Sequence, residues 1–506
     1  MTLAADPATM TSPAAAPVAK SPSTRLASLD IFRGITIAAM ILVNNQRDGM
    51  YWPLDHAEWH GWTPTDLIFP FFLFIVGVAT PFSFAKRGAT SSKLELLGHV
   101  WSRALALFMV GQLLPAIPVP AKDALPSGFF LLKSMRYFGA AFAWIALIAL
   151  LVPWRSKRLS AWLPVFVAIA FYGLAVAMHF VVASAKANGW PEGLLGRGIF
   201  NPDMLRVPGV LQRIGICYGI AGTIVLLAGW RTILLASIIF CAGHSWLMLK
   251  MPHRLLEMPT FAGLKVGSLE EKDNFARRVD EAVLDRYTKN ERGEKVYTQR
   301  HTYTHYPDNE GIVSTLPAIA TALFGAGGLV AADESTGDGP RGGPACNGRA
   351  GDRARLVNAL VADADQQEPV DAVVCGVHGR AGARGVGADV LDRRRARPAG
   401  LVLPFAIFGM NAIAAFVASN VIVKLSMIGA ALHPLKDSKT GESVSVLGFV
   451  GNRINDLLHH ASAGGSKWGV WLDTPANASL VYGLWFVLIV FLLSAVLYAC
   501  KVFVKV

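Results

Sequence analysis

The sequence predicts an all-α polytopic integral membrane protein, and three observations predict it. Of its 506 residues, 53% are hydrophobic and only 16% are charged, with a mean hydropathy of +0.42; soluble domains carry about 25% charged residues. Apolar runs close to the roughly 20 residues that cross a bilayer recur along the chain. Lys and Arg gather in short connections between those runs, the bias that sets membrane orientation.

Ten spans are readable, over residues 31–45, 64–85, 97–118, 137–153, 160–182, 208–229, 231–249, 313–330, 402–424 and 479–500. Each must be helical, because a lone strand in lipid leaves its backbone groups unpaired. Lys20, Arg25 and Arg33 precede or open the first span. Lys86, Arg87 and Lys93 follow the second, and Arg155, Lys157 and Arg158 separate the fourth from the fifth. Lys501 and Lys505 close the chain. With these sites cytoplasmic, an even number of spans puts both termini inside. The connection after the first span and the long polar loop 250–312 then face the opposite side.

Residues 1–26, rich in Ala, Pro, Ser and Thr, read as a disordered cytoplasmic tail. They lack the basic start and apolar centre of a cleaved signal peptide, so the first span is expected to act as the insertion signal. The core follows over 27–330 and the C-terminal helices over 401–506. The net charge of +12 is scattered at span ends, where it orients the protein and touches lipid headgroups. No soluble basic domain is present, which argues against nucleic acid as a partner. No CxxC spacing occurs, so neither a metal centre nor a disulfide framework is expected.

Residues 331–400 break the pattern. They contain no Ile, Phe, Tyr, Trp, Met or Lys, yet hold ten Arg and twelve Gly. A disordered loop has such a composition; so does a GC-rich gene read out of frame. Codons exist for Asp365–Asp371 that, read one base later, give Ile-Asn-Lys-Asn-Leu-Trp-Thr, followed by an apolar and aromatic run. The segment is therefore read as bounded by compensating frameshifts, near 330–337 and 396–401, with two helices lost from a twelve-span parent.

The chemistry concentrates in Leu54–Pro70, where His56, His60, Asp55, Glu58, Asp66 and two prolines lie between two apolar runs. Ionisable groups at membrane level are costly and usually functional. A lone interfacial His more often anchors a helix end, as the neighbouring tryptophans do in an aromatic belt. Here Asp55, Glu58 and Asp66 can hold one imidazole tautomer, which a general base needs, so His56 is the first candidate and His60 a structural one. Asp30 and Arg33 form an i,i+3 pair that either neutralises itself or frees Arg33 for an anion. Asn44 and Asn45 lie at the level of His56, as helix caps or as ligands. Arg206 and Arg213 flank the start of the sixth span, and Arg103 lies in the third. Each either snorkels to headgroups or meets a phosphate, whose geometry guanidinium matches. In the outer loop, the patches around Asn274 and Asp308 carry acid and amide groups that suit a sugar, or are plain solvated surface.

Five blocks in order carry a family resemblance: Arg25–Gly34, His56–Pro70, Arg206–Arg213, Asp308–Thr315 and Phe408–Ile413. Together they resemble the heparan-α-glucosaminide N-acetyltransferase family of transmembrane acyltransferases, in its bacterial branch. The out-of-frame Ile-Asn-Lys-Asn-Leu-Trp run also resembles a family block. The hairpin near 137–182 is not part of the family pattern.

The resemblance implies an inner-membrane enzyme that moves an acetyl group from cytoplasmic acetyl-CoA, its cosubstrate, to the amine of a glucosamine-type sugar or glycan on the far side. It implies His56 as acetyl acceptor or general base, supported by Asp66 and Asn45. Arg33, Arg206 and Arg213 are the expected coenzyme A contacts, and Asn274, Asp308 and Asn411 the expected acceptor contacts. No metal is expected; membrane lipids and a second copy in a homodimer are the expected partners. The competing class is an amino-sugar transporter with His56 as proton relay, which internal inverted repeats would favour; none is visible. With two core helices missing, the chain as written is expected to be impaired even where its parent gene encodes an active enzyme.

The gene is expected to show an open alternate frame through codons 331–400 that encodes an apolar helix. Nucleotide sequencing decides this: stop codons in that frame, or no apolar run, would overturn the frameshift.

Overall fold

A computed structural model describes residues 27–47, 49–58, 60–88, 91–116, 130–151, 162–187, 209–250, 265–270, 273–284, 286–289, 295–298, 311–335, 402–432, 435–436, 441, 443–463 and 473–504. The helices are α1 (Ala27–Asn44), α2 (Ile68–Arg87), α3 (Lys93–Ala116), α4 (Phe130–Leu151), α5 (Leu163–Ala187), α6 (Val210–Leu227) and α7 (Trp230–Leu249). They continue as α8 (Phe275–Leu284), α9 (Thr315–Ser335), α10 (Leu403–Met410), α11 (Ala412–Leu432), α12 (Val446–Ala463) and α13 (Pro475–Ala499). Among the described residues the strands form three antiparallel two-stranded ladders, with pairs such as Leu269 with Asn274 and Arg286 with Thr298.

Every one of the ten expected spans holds a helix, so the all-α polytopic class stands. Among the described residues, five helices are long and apolar enough to cross a membrane, and a sixth counts if α10 and α11 are one span bent by 83°. The ninth expected span is therefore not a straight helix: it breaks at Asn411. α8 and α12 were not expected as helices. The segment 336–401 lies outside the described residues.

The bundle is held by backbone contact at small residues. In lipid, helices gain little from burying apolar surface and associate where small side chains let backbones approach. A Cβ on Gly34 would strike the carbonyl of Phe405, and one on Gly409 would strike that of Asp30. α1 and α10 therefore run against each other in opposite directions. Gly77 of α2 faces Ala322, Gly325 of α9 faces Phe74, and Gly215 of α6 faces Ala104. Apolar packing fills in around these contacts, with Leu73, Val110, Leu113, Ile319 and Leu323 in one cluster and Ile37, Ile41, Phe408, Phe486 and Val490 in another. Ile145, Ile148, Phe166, Leu235, Ile239, Leu488, Leu492 and Val496 point outward, the band that lipid would cover. α4 and α5 pack mainly on each other and on α3, which makes this pair peripheral.

The contacts define two ends. At one, Asp30 meets Gly409 and the residues after α13 meet Asn411. At the other, the Arg47 N–H donates to Ser479 Oγ at 2.9 Å and Tyr51 Oη donates to Asn477 Oδ1 at 2.5 Å, tying the exit of α1 to the start of α13.

Gly409→Ala is expected to cost about 1–3 kcal/mol as an overpacked helix contact, read as a lower melting midpoint in detergent. Gly173→Ala, where nothing lies within 4 Å, is expected to stay within about 0.5 kcal/mol of the parent. Equal midpoints for the two variants would contradict the close contact of α1 and α10.

Candidate functional site

Between α1 and α2 the chain makes two short 3-10 turns, Trp52–Leu54 and Pro64–Leu67. Pro53 takes the second position of the first turn and Pro64 opens the second, where no intrahelical N–H partner is needed. Thr63 caps the second: Asp66 Oδ2 accepts from the Thr63 N–H at 2.9 Å and from Thr63 Oγ1 at 3.2 Å. Thr63 Oγ1 also lies 2.6 Å from the Asp55 carbonyl oxygen, and Thr65 Oγ1 donates to the Pro53 carbonyl at 3.1 Å. The two turns are thereby stitched together.

This scaffold presents His56. Its Nδ1 lies 2.6 Å from Asp66 Oδ1, and Asp66 Oδ2 also accepts the Ala57 N–H at 3.3 Å. The His56 N–H donates to Asp55 Oδ1 at 2.8 Å. A carboxylate with that many donors is an acceptor toward the ring, which assigns the neutral imidazole's proton to Nδ1 and leaves the Nε2 lone pair available. The His56 side chain is 59% exposed and Asp66 27%. An imidazole oriented by a carboxylate, with its far nitrogen open, can act as nucleophile or as base. His60 Nε2 stands 3.9 Å from Glu270 Oε2, with both side chains exposed; such a pair contributes little, but it places the Leu269–Asn274 ladder beside the His56 segment.

Beneath this segment lies an intramembrane cavity of about 290 Å³ among α1, α2, α3, α6 and the α10–α11 break. Arg33, Ser83 and Arg103 mark one end; Met40, Phe72 and Val210 mark the other. From Ser83 to Phe72 the cavity follows α2 for about 16 Å at ~1.5 Å per residue. Asp66 lies six residues beyond Phe72, or ~9 Å further along the axis. Arg33 Nη1 is 3.3 Å from Asp30 Oδ1 and donates to the Gly409 carbonyl at 3.4 Å. Arg103 lies over the Tyr218 ring at 5.5 Å.

The structure brings His56 and Asp66 together and separates several other candidates. Asn45 Nδ2 donates to the Ile41 carbonyl at 2.8 Å, closing its own helix end. Arg213 is buried at the His56 end, where its guanidinium donates to Ser314 Oγ and lies over the Phe69 ring at 5.5 Å. Arg33 and Arg213 thus stand at opposite ends of the bundle. Asn411, wholly buried, is at the Arg33 end and away from His56. Asn274 caps α8, accepting the Arg277 N–H at 2.9 Å and donating to the Glu270 carbonyl at 2.9 Å. Arg206 and Asp308 lie outside the described residues.

Thr63 and Tyr218 escaped the sequence reading. The spacing Thr63-x-x-Asp66 is a capping-box pattern and could have exposed the first; nothing marked the second. A further His–Asp contact, His459 Nδ1 to Asp473 Oδ2 at 2.8 Å, also lies at the His56 end. Among the described residues no cluster of three metal-ligating side chains occurs.

Residues 25–207 match the family model described as heparan-alpha-glucosaminide N-acetyltransferase, catalytic. The heparan-alpha-glucosaminide N-acetyltransferase of Mus musculus is 38% identical over 98 residues, 19% of this chain and 14% of that protein. The protein of the same name from Homo sapiens is 42% identical over 90 residues, 17% of this chain and 13% of that protein. The aligned stretch is thus a small part of each relative. The resemblance carried by the sequence blocks is shared by the family model over the segment that contains Arg33, Arg103, the cavity wall of α2, and the His56–Asp66 pair.

Proposed function

From the family match over residues 25–207, we propose that this chain is a multi-pass membrane N-acetyltransferase that carries an acetyl group from acetyl-CoA to the amine of a glucosamine-type sugar. The observation that supports it most is the His56–Asp66 pair at one end of the bundle, with an arginine-marked cavity leading toward it from the other.

The donor fits the cavity in parts. A volume of about 290 Å³ is at the low edge of ligand pockets; it admits the slender thioester arm and excludes the nucleotide. Arg33 and Arg103 stand where the charged head would remain, and guanidinium suits its phosphates. The thioester then points toward Phe72, below His56. Arg213, at the other end, serves the acceptor side in this reading. With Lys-rich and Arg-rich connections inside, the donor enters from the cytoplasm and the sugar is met outside, in an inner membrane.

The reaction needs a proton removed. A sugar ammonium must become an amine before it attacks the thioester carbonyl; the C–S bond then breaks, the thiolate takes a proton, and the amide forms. His56 Nε2 serves by either of two routes. It accepts the acetyl group itself and passes it to the amine, or it takes the amine's proton during direct attack. Asp66 holds Nδ1–H in both and stabilises the ring when it is cationic or acylated.

His56→Ala is expected to lower transfer of radiolabelled acetyl from acetyl-CoA to glucosamine in membranes by roughly 10²–10⁴-fold. Asp66→Asn, which offers the wrong hydrogen-bonding edge to Nδ1, is expected to cost on the order of 10²-fold with donor binding retained. Uptake of the sugar without acetylation would instead establish a transporter.

A further inference from the structure

Membrane helices alone do not bound the Arg33 end of the cavity. After α13 the chain turns back at Lys501, whose φ is +57°. The Val502 N–H reaches the Leu497 carbonyl at 2.8 Å and the Lys501 N–H reaches that of Tyr498 at 2.9 Å. This is a Schellman closure with lysine where glycine is usual. The next residues meet the break between α10 and α11. Asn411 Nδ2 donates to the Val502 carbonyl at 3.1 Å, and the Val504 N–H donates to Asn411 Oδ1 at 3.1 Å. Both polar atoms of a fully buried carboxamide are thus matched to one stretch of backbone, as a strand edge would match them. Val504 then forms part of the cavity wall beside Arg33 and Gly409.

We infer that residues 501–504 form a strap that narrows the cavity's Arg33 mouth, and that Asn411 is the positioning residue that seats it. Asn411 was expected to touch the acceptor; its geometry gives it this role instead. A buried amide is retained only where its hydrogen bonds are made, and both of these go to the strap. Past Val502 the Phe503 ring meets Tyr498 of α13 edge-on, with centroids 6.4 Å apart, and Asn411 accepts the Val504 N–H. The consequence for acetyl-CoA entry rests on the proposed function; the strap itself does not.

The test uses the purified full chain carrying Ser83→Cys, with labelling of the introduced thiol by a bulky hydrophilic maleimide read by mass spectrometry. Asn411→Ala and deletion of residues 502–506 are each expected to speed labelling roughly tenfold by raising the open fraction, and together to do no more than either alone. In transfer assays both should lower the apparent KM for acetyl-CoA and leave the acceptor KM unchanged. The deletion removes no residue of α13, which ends at Ala499, so the strap stays testable if Asn411→Ala fails to fold. Unchanged labelling in the deletion variant, or additive effects, would overturn the strap. Faster labelling in a chain that transfers no acetyl in any form would uphold the strap and show this chain to be inactive as written.

Discussion

The close passage of α1 against α10 fixes much of what the rest of the molecule can do. At Gly34 and Gly409 each backbone occupies the space that the other's side chain would need. Only this approach lets Arg33 reach the Gly409 carbonyl. It also brings the α10–α11 break to the level of Asp30, where Asn411 meets the residues after α13. A helix pair held a few ångströms further apart would leave a guanidinium at membrane depth without that acceptor, a costly state. The cavity between α1, α2 and α11 is thus a product of one tight contact on its flank.

The break at Asn411 raises a second requirement. A bend of 83° interrupts the helical ladder, and groups freed at membrane depth must be paired within the protein. The Asn411 N–H turns to the Phe408 carbonyl at 3.1 Å, the Asn411 carbonyl accepts the Ala415 N–H at 2.9 Å, and the side chain takes the backbone beyond α13. One residue therefore restarts a helix and fastens a distant segment, and neither role needs contact with a substrate.

Much of this was legible. Long apolar runs have one stable form in lipid, so all ten expected spans hold helices. The His56–Asp66 contact followed from carboxylates crowded around an imidazole, because few other arrangements make such a stretch tolerable at an apolar boundary. The break at Asn411 was harder to see: residues 402–424 read as one apolar run, and a single Asn within it serves equally as cap, ligand or bend. α8 and α12 are short or amphipathic and hide from any search for uniform hydropathy. The separation of Arg33 from Arg213 was present in the sequence but unread. Successive spans alternate direction, so the start of the sixth lies at the end opposite the start of the first. Span counting alone parts the two arginines.

That separation sharpens the chemical problem the fold must solve. The cavity ends at Phe72, and the His56–Asp66 pair begins two turns of helix later. The interval contains Phe69, and Arg213 lies over its ring, bound in turn to Ser314 at the start of α9. Ser314 Oγ and Thr315 Oγ1 both donate to the Gly311 carbonyl at 3.0 Å, and Asp280 Oδ1 accepts the Ile312 N–H at 2.8 Å. A continuous line of contacts therefore runs from the partition at Phe69 to α8, whose cap Asn274 binds Glu270, the residue facing His60. On its way from cavity to imidazole the acetyl group of the proposed reaction crosses the level of this aromatic ring. In the proposed reaction the outer loop that meets the acceptor and the ring that admits the acetyl group are thus mechanically joined, and Arg213 is the joint.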